Sequence, residues 1–290
     1  MSDILAAMKP KPTISLIGAG RLALALAPAL HQAGYVIDQI VSRNDAASLQ
    51  RARELACSVN AAAVKLRDFQ GVSQIVWLCV GDAAIAACAA ELARAGEWKG
   101  RVALHSSGAL ASDELAPLRR RGARVGSLHP LMTFVHLSRP SLSGVGFAVE
   151  GDAAAVRAAR GIVLDLGGES FAVGTSAKPL YHAWGAFGSP LLVMELALAE
   201  RVAQAAGLRP ALARRTIAPL VRRTVDNYFA HGPAAAFSGP LVRGDVETVR
   251  RHLKELAKVP GARGVYVALA KSAMKTLPVG RRRDMERLLK

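Results

Sequence analysis

Ile14-Ser15-Leu16-Ile17-Gly18-Ala19-Gly20-Arg21-Leu22-Ala23-Leu24-Ala25-Leu26-Ala27 decides how the rest of this chain is read. A short aliphatic run stops at two glycines, and an Ala/Leu-rich helical pattern begins at once. The order is strand, tight turn, helix, with G-x-G-x-x-A at the junction. The first glycine permits the turn, the second admits a pyrophosphate close to the backbone, and the small third residue lets helix and strand pack closely. The unpaired N–H groups at the start of the helix, at its positive end, then face the phosphates. Gly18, Ala19, Gly20, Arg21 and Leu22 are therefore expected to hold a dinucleotide.

The flanking sequence extends this unit. Strand-like runs at Thr13–Ile17, Tyr35–Val41, Gln74–Val80, Arg101–His105, Arg124–Leu128, Gly146–Glu150 and Glu169–Val173 alternate with helical patterns. The helices are expected near Arg21–Ala33, Asp45–Ala56, Ala83–Ala95, Ser112–Arg120 and Ala153–Leu166. Alternating βα units build a mostly parallel sheet covered on both faces. Beyond Ser176 apolar residues recur at helical spacing through Leu191–Ala206, Ala211–Phe229, Val246–Leu256 and Tyr266–Met274. The expected architecture is an α/β Rossmann-type domain over residues 12–174, followed by an all-helical domain over residues 175–290.

Bulk properties narrow the function classes. The 290 residues are 51% hydrophobic and 21% charged, a globular composition rather than a disordered one. Lys9 and Lys11 ahead of an apolar stretch imitate a secretory signal, but Arg21 interrupts the stretch and the glycine turn explains it better. Residues 1–11 read as a loose leader. No uninterrupted apolar run reaches membrane-spanning length, so no membrane association is expected. Cys57, Cys79 and Cys88 lack metal-type spacing, and no metal site is expected; a reduced, cytoplasmic chain is the simplest reading.

The net charge is +16, unevenly spread. Residues 177–290 carry 20 Lys and Arg against 8 Asp and Glu, whereas the preceding 176 residues carry 18 against 14. The arginine pairs lie in helical patterns without interleaved aromatics, which weighs against nucleic acid. The positive balance of residues 177–290, together with Arg243, favours a small anionic substrate.

In an open parallel sheet, ligands bind beyond the carboxyl ends of the strands. Polar residues and glycines gather at those ends here: Ser42-Arg43-Asn44, Val80-Gly81-Asp82, Ser106-Ser107-Gly108 and His129-Pro130. The second strand bears on which nucleotide binds. An acidic residue there would accept from the ribose hydroxyls of NAD; Arg43 would instead hold a 2′-phosphate. NADP(H) is the expected cofactor, with Ser42, Arg43 and Asn44 near its 2′-phosphate. Val80, Gly81, Asp82 and Ser106 would border its nicotinamide end. Asp45 is expected to cap the following helix.

Lys178 and His182 stand four apart, on one face of a helix that Thr175 or Ser176 could cap. Interconverting a hydroxyl and a carbonyl, or an amine and an imine, requires a group that gives or takes a proton as hydride moves. Lys178 is assigned that role or substrate orientation, with His182 and His129 in support. Ser107, Gly108, Thr133 and Arg243 are assigned to the substrate. His105 and His136 read as structural histidines.

His105-Ser106-Ser107-Gly108, then Ser127-Leu128-His129-Pro130-Leu131-Met132-Thr133-Phe134, then Lys178-Pro179-Leu180-Tyr181-His182-Ala183 resemble the bacterial Rossmann-like proteins with a DUF2520 C-terminal domain. Gly232-Pro233, Ser238-Gly239-Pro240 and Arg243-Gly244-Asp245, with Thr248 and His252, extend the resemblance over most of the chain. It implies kinship with the 6-phosphogluconate and β-hydroxyacid dehydrogenases and pyrroline-5-carboxylate reductases. The helical domain would then be 6-phosphogluconate-dehydrogenase-like and form a homodimer. Lys178 matches a lysine of those dehydrogenases, whereas His182 stands where they have asparagine. Pro190, in Ser189-Pro190, should kink or break the helix that follows Lys178. The expected activity is NADP(H)-dependent hydride transfer to or from a hydroxyacid, ketone or imine held between the domains. A non-catalytic NADP(H)-binding module and an F420-dependent oxidoreductase, as some relatives with a similar turn are, stand as alternatives.

Overall fold

The computed structural model describes residues 10–71, 73–135 and 140–290, so most of the expected leader and His136 lie outside the described residues. The chain forms two compact units, Met1–Phe187 and Gly188–Lys290.

The first unit is built on eight strands: β1 Ile14–Ile17, β2 Ile37–Ser42, β3 Ala62–Lys65, β4 Ile75–Leu78, β5 Val102–His105, β6 Arg124–Pro130, β7 Gly146–Gly151 and β8 Glu169–Ala172. They form one sheet in the order β3-β2-β1-β4-β5-β6-β7-β8. All neighbouring pairs are parallel except β6 with β7. Helices α1 Arg21–Gln32, α2 Ala46–Ser58, α3 Asp82–Leu92, α4 Ala116–Arg120 and α5 Ala153–Asp165 cover it. One face of the sheet packs Leu26, Leu30, Leu55, Ala159 and Ile162; the other packs Ile85, Leu92, Leu115 and Leu118. β1 and β4, central and covered on both faces, are buried at every position. That is why both read as unbroken apolar runs.

Register aligns the strand ends. Ile17 of β1 sits opposite Val41 on one side and Leu78 on the other; His105 sits opposite Leu78 and Ser127. The turns that follow therefore fall along a single sheet edge, as the gathering of polar residues there implied.

Three details differ from expectation. β3 was not anticipated: Ala-Ala-Val-Lys at the sheet margin has no fully buried position and so shows no strand-like alternation. Lys11, read as part of the leader, is anchored: its ammonium lies 2.8 Å from Asp165 and donates to the Ala33 carbonyl, over the Tyr35 ring. Thr175–Ala177 forms a single 3₁₀ turn running into α6, Lys178–Gly188, and Gly174, without a side chain, opens that turn. Helix α6 groups with the first unit through Phe187, so the compact unit extends past the end of the sheet near residue 174.

The second unit is helical: α7 Pro190–Ala205, α8 Pro210–Ala236, α9 Pro240–Arg243, α10 Val246–Leu256, α11 Ala262–Thr276 and α12 Arg282–Leu288. Ser189, non-helical, separates α6 from α7, so of the kink or break expected at Pro190 the chain shows a break. Its core joins Val249 and Leu253 of α10, Ala270 and Met274 of α11, and Met285 of α12. By contrast α7 buries no residue and α8 only Ala213. An apolar groove of about 650 Å³ opens between them, lined by Leu196, Ala197, Ile217 and Val221 among others. Among the described residues, no helix is long and apolar enough to cross a membrane.

Candidate active site

The first turn after β1 is held by backbone. Gly18 N–H donates to the Val41 carbonyl at 2.7 Å, and Cys79 N–H donates to Ile17. Gly18 has φ +107°, and a Cβ there would stand 2.8 Å from the Cys79 carbonyl oxygen. Only glycine fits. Gly20 opens α1 with no side-chain cap, leaving the first-turn N–H groups without a side-chain acceptor.

A cleft of about 440 Å³ runs from this turn across the ends of β2 and β4. Gly18, Ala19, Gly20, Ser42, Arg43, Val80 and Gly81 line it, all expected. Arg21, Leu22, Asn44, Asp82 and Ser106 are not among its lining residues. Asn44 Oδ1 instead accepts the Arg67 N–H, and the Ser42 hydroxyl turns toward the Val64 and Arg43 carbonyls. Asp38, far from this edge, accepts from Ser73.

Among the lining residues that sequence reasoning missed, Ser48 and Arg51 are the polar pair at the β2 end. Asp45 caps α2 by accepting from Ser48 N–H at 2.7 Å, as expected, and also accepts the Ser48 hydroxyl. The same Ser48 oxygen receives Arg43 Nε at 3.2 Å and Arg51 Nη2 at 3.0 Å. Two guanidiniums and a hydroxyl thus converge at the β2 end of the cleft, and the Arg43 side chain remains 78% exposed. Seven residues separate the arginines in sequence, and only the helix that Asp45 caps brings them together. The chemistry of this set suits a phosphate monoester.

Farther along the edge, β5, β6 and α6 build a second cluster. Lys178, first in α6, is 1% exposed; its ammonium donates to the Ser107 carbonyl at 3.0 Å and to Ser127 Oγ at 2.7 Å. Burial pushes its pKa below the ordinary lysine value, against the pull of the Glu150 and Asp82 carboxylates. Ser107 Oγ donates to Asp82 at 2.8 Å and accepts the Ala109 and Leu110 N–H groups. Ser106 Oγ receives Trp77 Nε1 at 2.7 Å. The whole turn after β5 is therefore fixed before any ligand arrives.

Gly108 lets the imidazoles close over this turn. A Cβ there would lie 2.7 Å from His182 Cδ2 and 2.8 Å from His129 Nε2. The two rings are 6.0 Å apart, edge to face. Lys178, His182, His129, Ser107 and Gly108 are thus brought together. Thr133 is exposed on the segment after β6, and Arg243 belongs to the second unit, where it pairs loosely with Asp245. Tyr181 and Ser127, which sequence reasoning did not single out, complete the cluster.

His105 is fully buried with both ring nitrogens engaged: Nε2 donates to the Ala111 carbonyl, and Nδ1 accepts the Ser107 N–H. That pairing requires the neutral ring, and burial pushes its pKa down to about 4. Burial, then the Lys178 charge, takes His129 to about 4 as well. An unfolded chain would protonate both near 6.5, so it binds more protons than the native state between pH 6.5 and 4, and stability falls as pH falls through that window. Urea denaturation should show a loss of roughly 1.4 kcal/mol per histidine per pH unit there. His129→Gln should remove about half of that slope; an unchanged slope would contradict the buried neutral imidazole.

Residues 3–130 match the model of a Rossmann-like domain, and residues 145–273 match a domain of unknown function, DUF2520. No curated protein sequence matches the chain. Among solved structures, a candidate NADP oxidoreductase from Bacteroides fragilis superposes with a TM-score of 0.75 at 23% identity, covering 91% of this chain and 98% of that one. An imine reductase from Myxococcus stipitatus in complex with NADP+ gives 0.67 at 19% identity, covering 96% and 100%. A pyrroline-5-carboxylate reductase from Coxiella burnetii gives 0.60 at 14%, covering 90% and 98%. These likenesses establish the fold.

Proposed function

Because the chain joins a Rossmann-like domain to a DUF2520 domain, we propose that it is an NADP(H)-dependent oxidoreductase acting on a small, anionic hydroxyacid, ketone or imine. The observation that carries this reading is the edge itself. A dinucleotide cleft with a two-arginine terminus is continuous in sheet order with a cluster of proton-competent side chains around the buried Lys178. The names of the structural neighbours, an NADP oxidoreductase and an imine reductase with NADP+, support the same class.

Bound NADP(H) would supply or accept the hydride. Gly18, Ala19 and Gly20, with the first-turn N–H groups of Arg21 and Leu22, would receive the pyrophosphate. Arg43, Arg51 and Ser48 would hold the 2′-phosphate. Ser42 and Asn44 support that end, and Val80, Gly81, Asp82 and Ser106 border the other. Lys178 holds the Ser107 carbonyl and Ser127 in place and puts one positive charge beneath Gly108, where it stabilises negative charge developing on a substrate. His182 and His129 stand over the same point and are the groups placed to exchange a proton.

The positive balance of residues 177–290, Arg243 included, supports an anionic substrate. A homodimer formed through the helical unit would cover exposed Leu220 (66%) and Phe229 (81%) and the groove between α7 and α8, an apolar expanse monomers seldom leave open. Three free cysteines, two of them buried, fit the reducing cytoplasm.

Calorimetric titration with NADPH, NADH and F420 tests the cofactor assignment. NADPH should bind at least about tenfold tighter than NADH, and Arg43→Ala and Arg51→Ala should each remove about tenfold of that preference. Equal affinities, a preference indifferent to both arginines, or tighter binding of F420 would overturn it.

A further inference from the structure

Tyr181 packs between Phe171 and Trp184, with ring centroids at 5.9 and 6.0 Å, and turns its hydroxyl inward. That hydroxyl lies 2.7 Å from His129 Nδ1, and the two rings stand at 88°. A buried phenol needs an acceptor for its hydrogen. Among the described residues, His129 Nδ1 is the atom placed to take it. A neutral imidazole has one acceptor nitrogen and one N–H. With Nδ1 accepting, the ring proton sits on Nε2; the reverse arrangement would leave the phenol hydrogen without a partner. Nε2 in turn is the nitrogen that meets Gly108, beside His182.

We propose that Tyr181 is a positioning residue that fixes His129 as the Nε2–H tautomer, and that this N–H donates to the carbonyl oxygen or imine nitrogen of the substrate during reduction. The proposal rests on the oxidoreductase reading above. The protons balance within the pair. As the substrate carbon gains hydride from the reduced nicotinamide, its π electron pair moves to the heteroatom and the Nε2–H proton bonds to it. The Tyr181 proton passes to Nδ1, and water returns a proton to the phenolate, so one solvent proton is consumed per turnover. In the reverse direction the same steps run backwards.

Both groups are in the form this needs near neutral pH. Burial holds His129 at about 4 and pushes Tyr181 up to about 12. The charged and titratable groups facing His129 are Lys178 and His182 from α6, His105 from β5 and Asp82 at the start of α3. Asp82 alone among them favours the imidazolium, and it is already hydrogen bonded to Ser107.

Tyr181→Phe keeps the ring contacts and removes only the hydroxyl. Nitrogen-15 NMR of the full-length protein reads the tautomer without turnover. Wild type should show His129 protonated at Nε2, and the variant a mixture of both tautomers. In the variant kcat should fall about 10- to 100-fold with KM for NADPH changed less than about twofold. An Nδ1–H ring in wild type overturns the proposal, and that measurement needs no variant to fold. So does a variant with wild-type kcat or an undisturbed tautomer. A wild type that shows the Nε2–H ring but reduces no carbonyl or imine overturns the oxidoreductase reading, and the donor role with it, while leaving the tautomer assignment intact.

Discussion

Lys178→Met should lower turnover by at least about 100-fold while NADPH affinity stays within about threefold of wild type. The reasons lie in where the ammonium sits. It is buried beneath the turn after β5 and donates to Ser107 O and Ser127 Oγ, on the far side of the cluster from the arginines that would hold the cofactor. Methionine fills nearly the same volume without charge. It removes two hydrogen bonds but also an ion that burial disfavours, so global stability should change by no more than about 2 kcal/mol. A loss of activity therefore cannot be put down to unfolding. The variant carries an internal control: Lys178 is, after burial, the largest influence holding His129 down. Removing it should raise the His129 pKa from about 4 toward the ordinary histidine value, visible by NMR titration. An unshifted His129 with unimpaired turnover would remove Lys178 from the site.

Gly18→Ala should abolish useful cofactor binding, weakening NADPH by about 100-fold or more. The added carbon would sit 2.8 Å from the Cys79 carbonyl oxygen, a backbone atom that cannot turn aside as a side chain could. It would also sit on a residue with φ +107°, which costs an L-residue roughly 1–3 kcal/mol. Relief requires the β1–α1 turn to move off the β4 end, and with it the N–H groups meant for pyrophosphate. Thermal unfolding should register about 2–3 kcal/mol of lost stability. Alanine at the neighbouring Gly20, whose Cβ would lie 3.9 Å from the same oxygen, should be much milder in stability. Equal effects at the two positions would contradict the geometric account.

These residues also show how far one sequence carries. The β1 turn was legible because its meaning is local: a buried strand, two glycines and a helix lie within fourteen residues. The shared edge was legible too, since parallel strands separated by helices must end on one side. Pairings across sequence were not. Arg51 and Ser48 stand three apart in α2, but spacing alone did not show that the chain entering this Asp45-capped helix would lay Arg43 on the same Ser48 oxygen. Lys178 and His182 do share α6, but helical spacing could not show that Lys178 would be swallowed between the ends of β5 and β6 while His182 stayed exposed. Tyr181 meeting His129 depends on fifty residues of intervening fold, and no spacing rule signals it. β3 went unseen for a simpler reason: at the sheet margin, alanines give no alternation.

In the proposed function the proton-competent cluster and the dinucleotide cleft serve one reaction. The most direct test is a single-turnover measurement: wild-type protein loaded with NADPH, mixed with ketoacids, ketones and cyclic imines, and followed by loss of reduced nicotinamide with mass spectrometry of the product. Stoichiometric oxidation of NADPH with formation of the matching alcohol or amine from at least one class, at least about 100-fold slower in Lys178→Met, is the predicted result. Tight NADPH binding with no reduction of any member would contradict it, and would make the protein a binding module built on this fold.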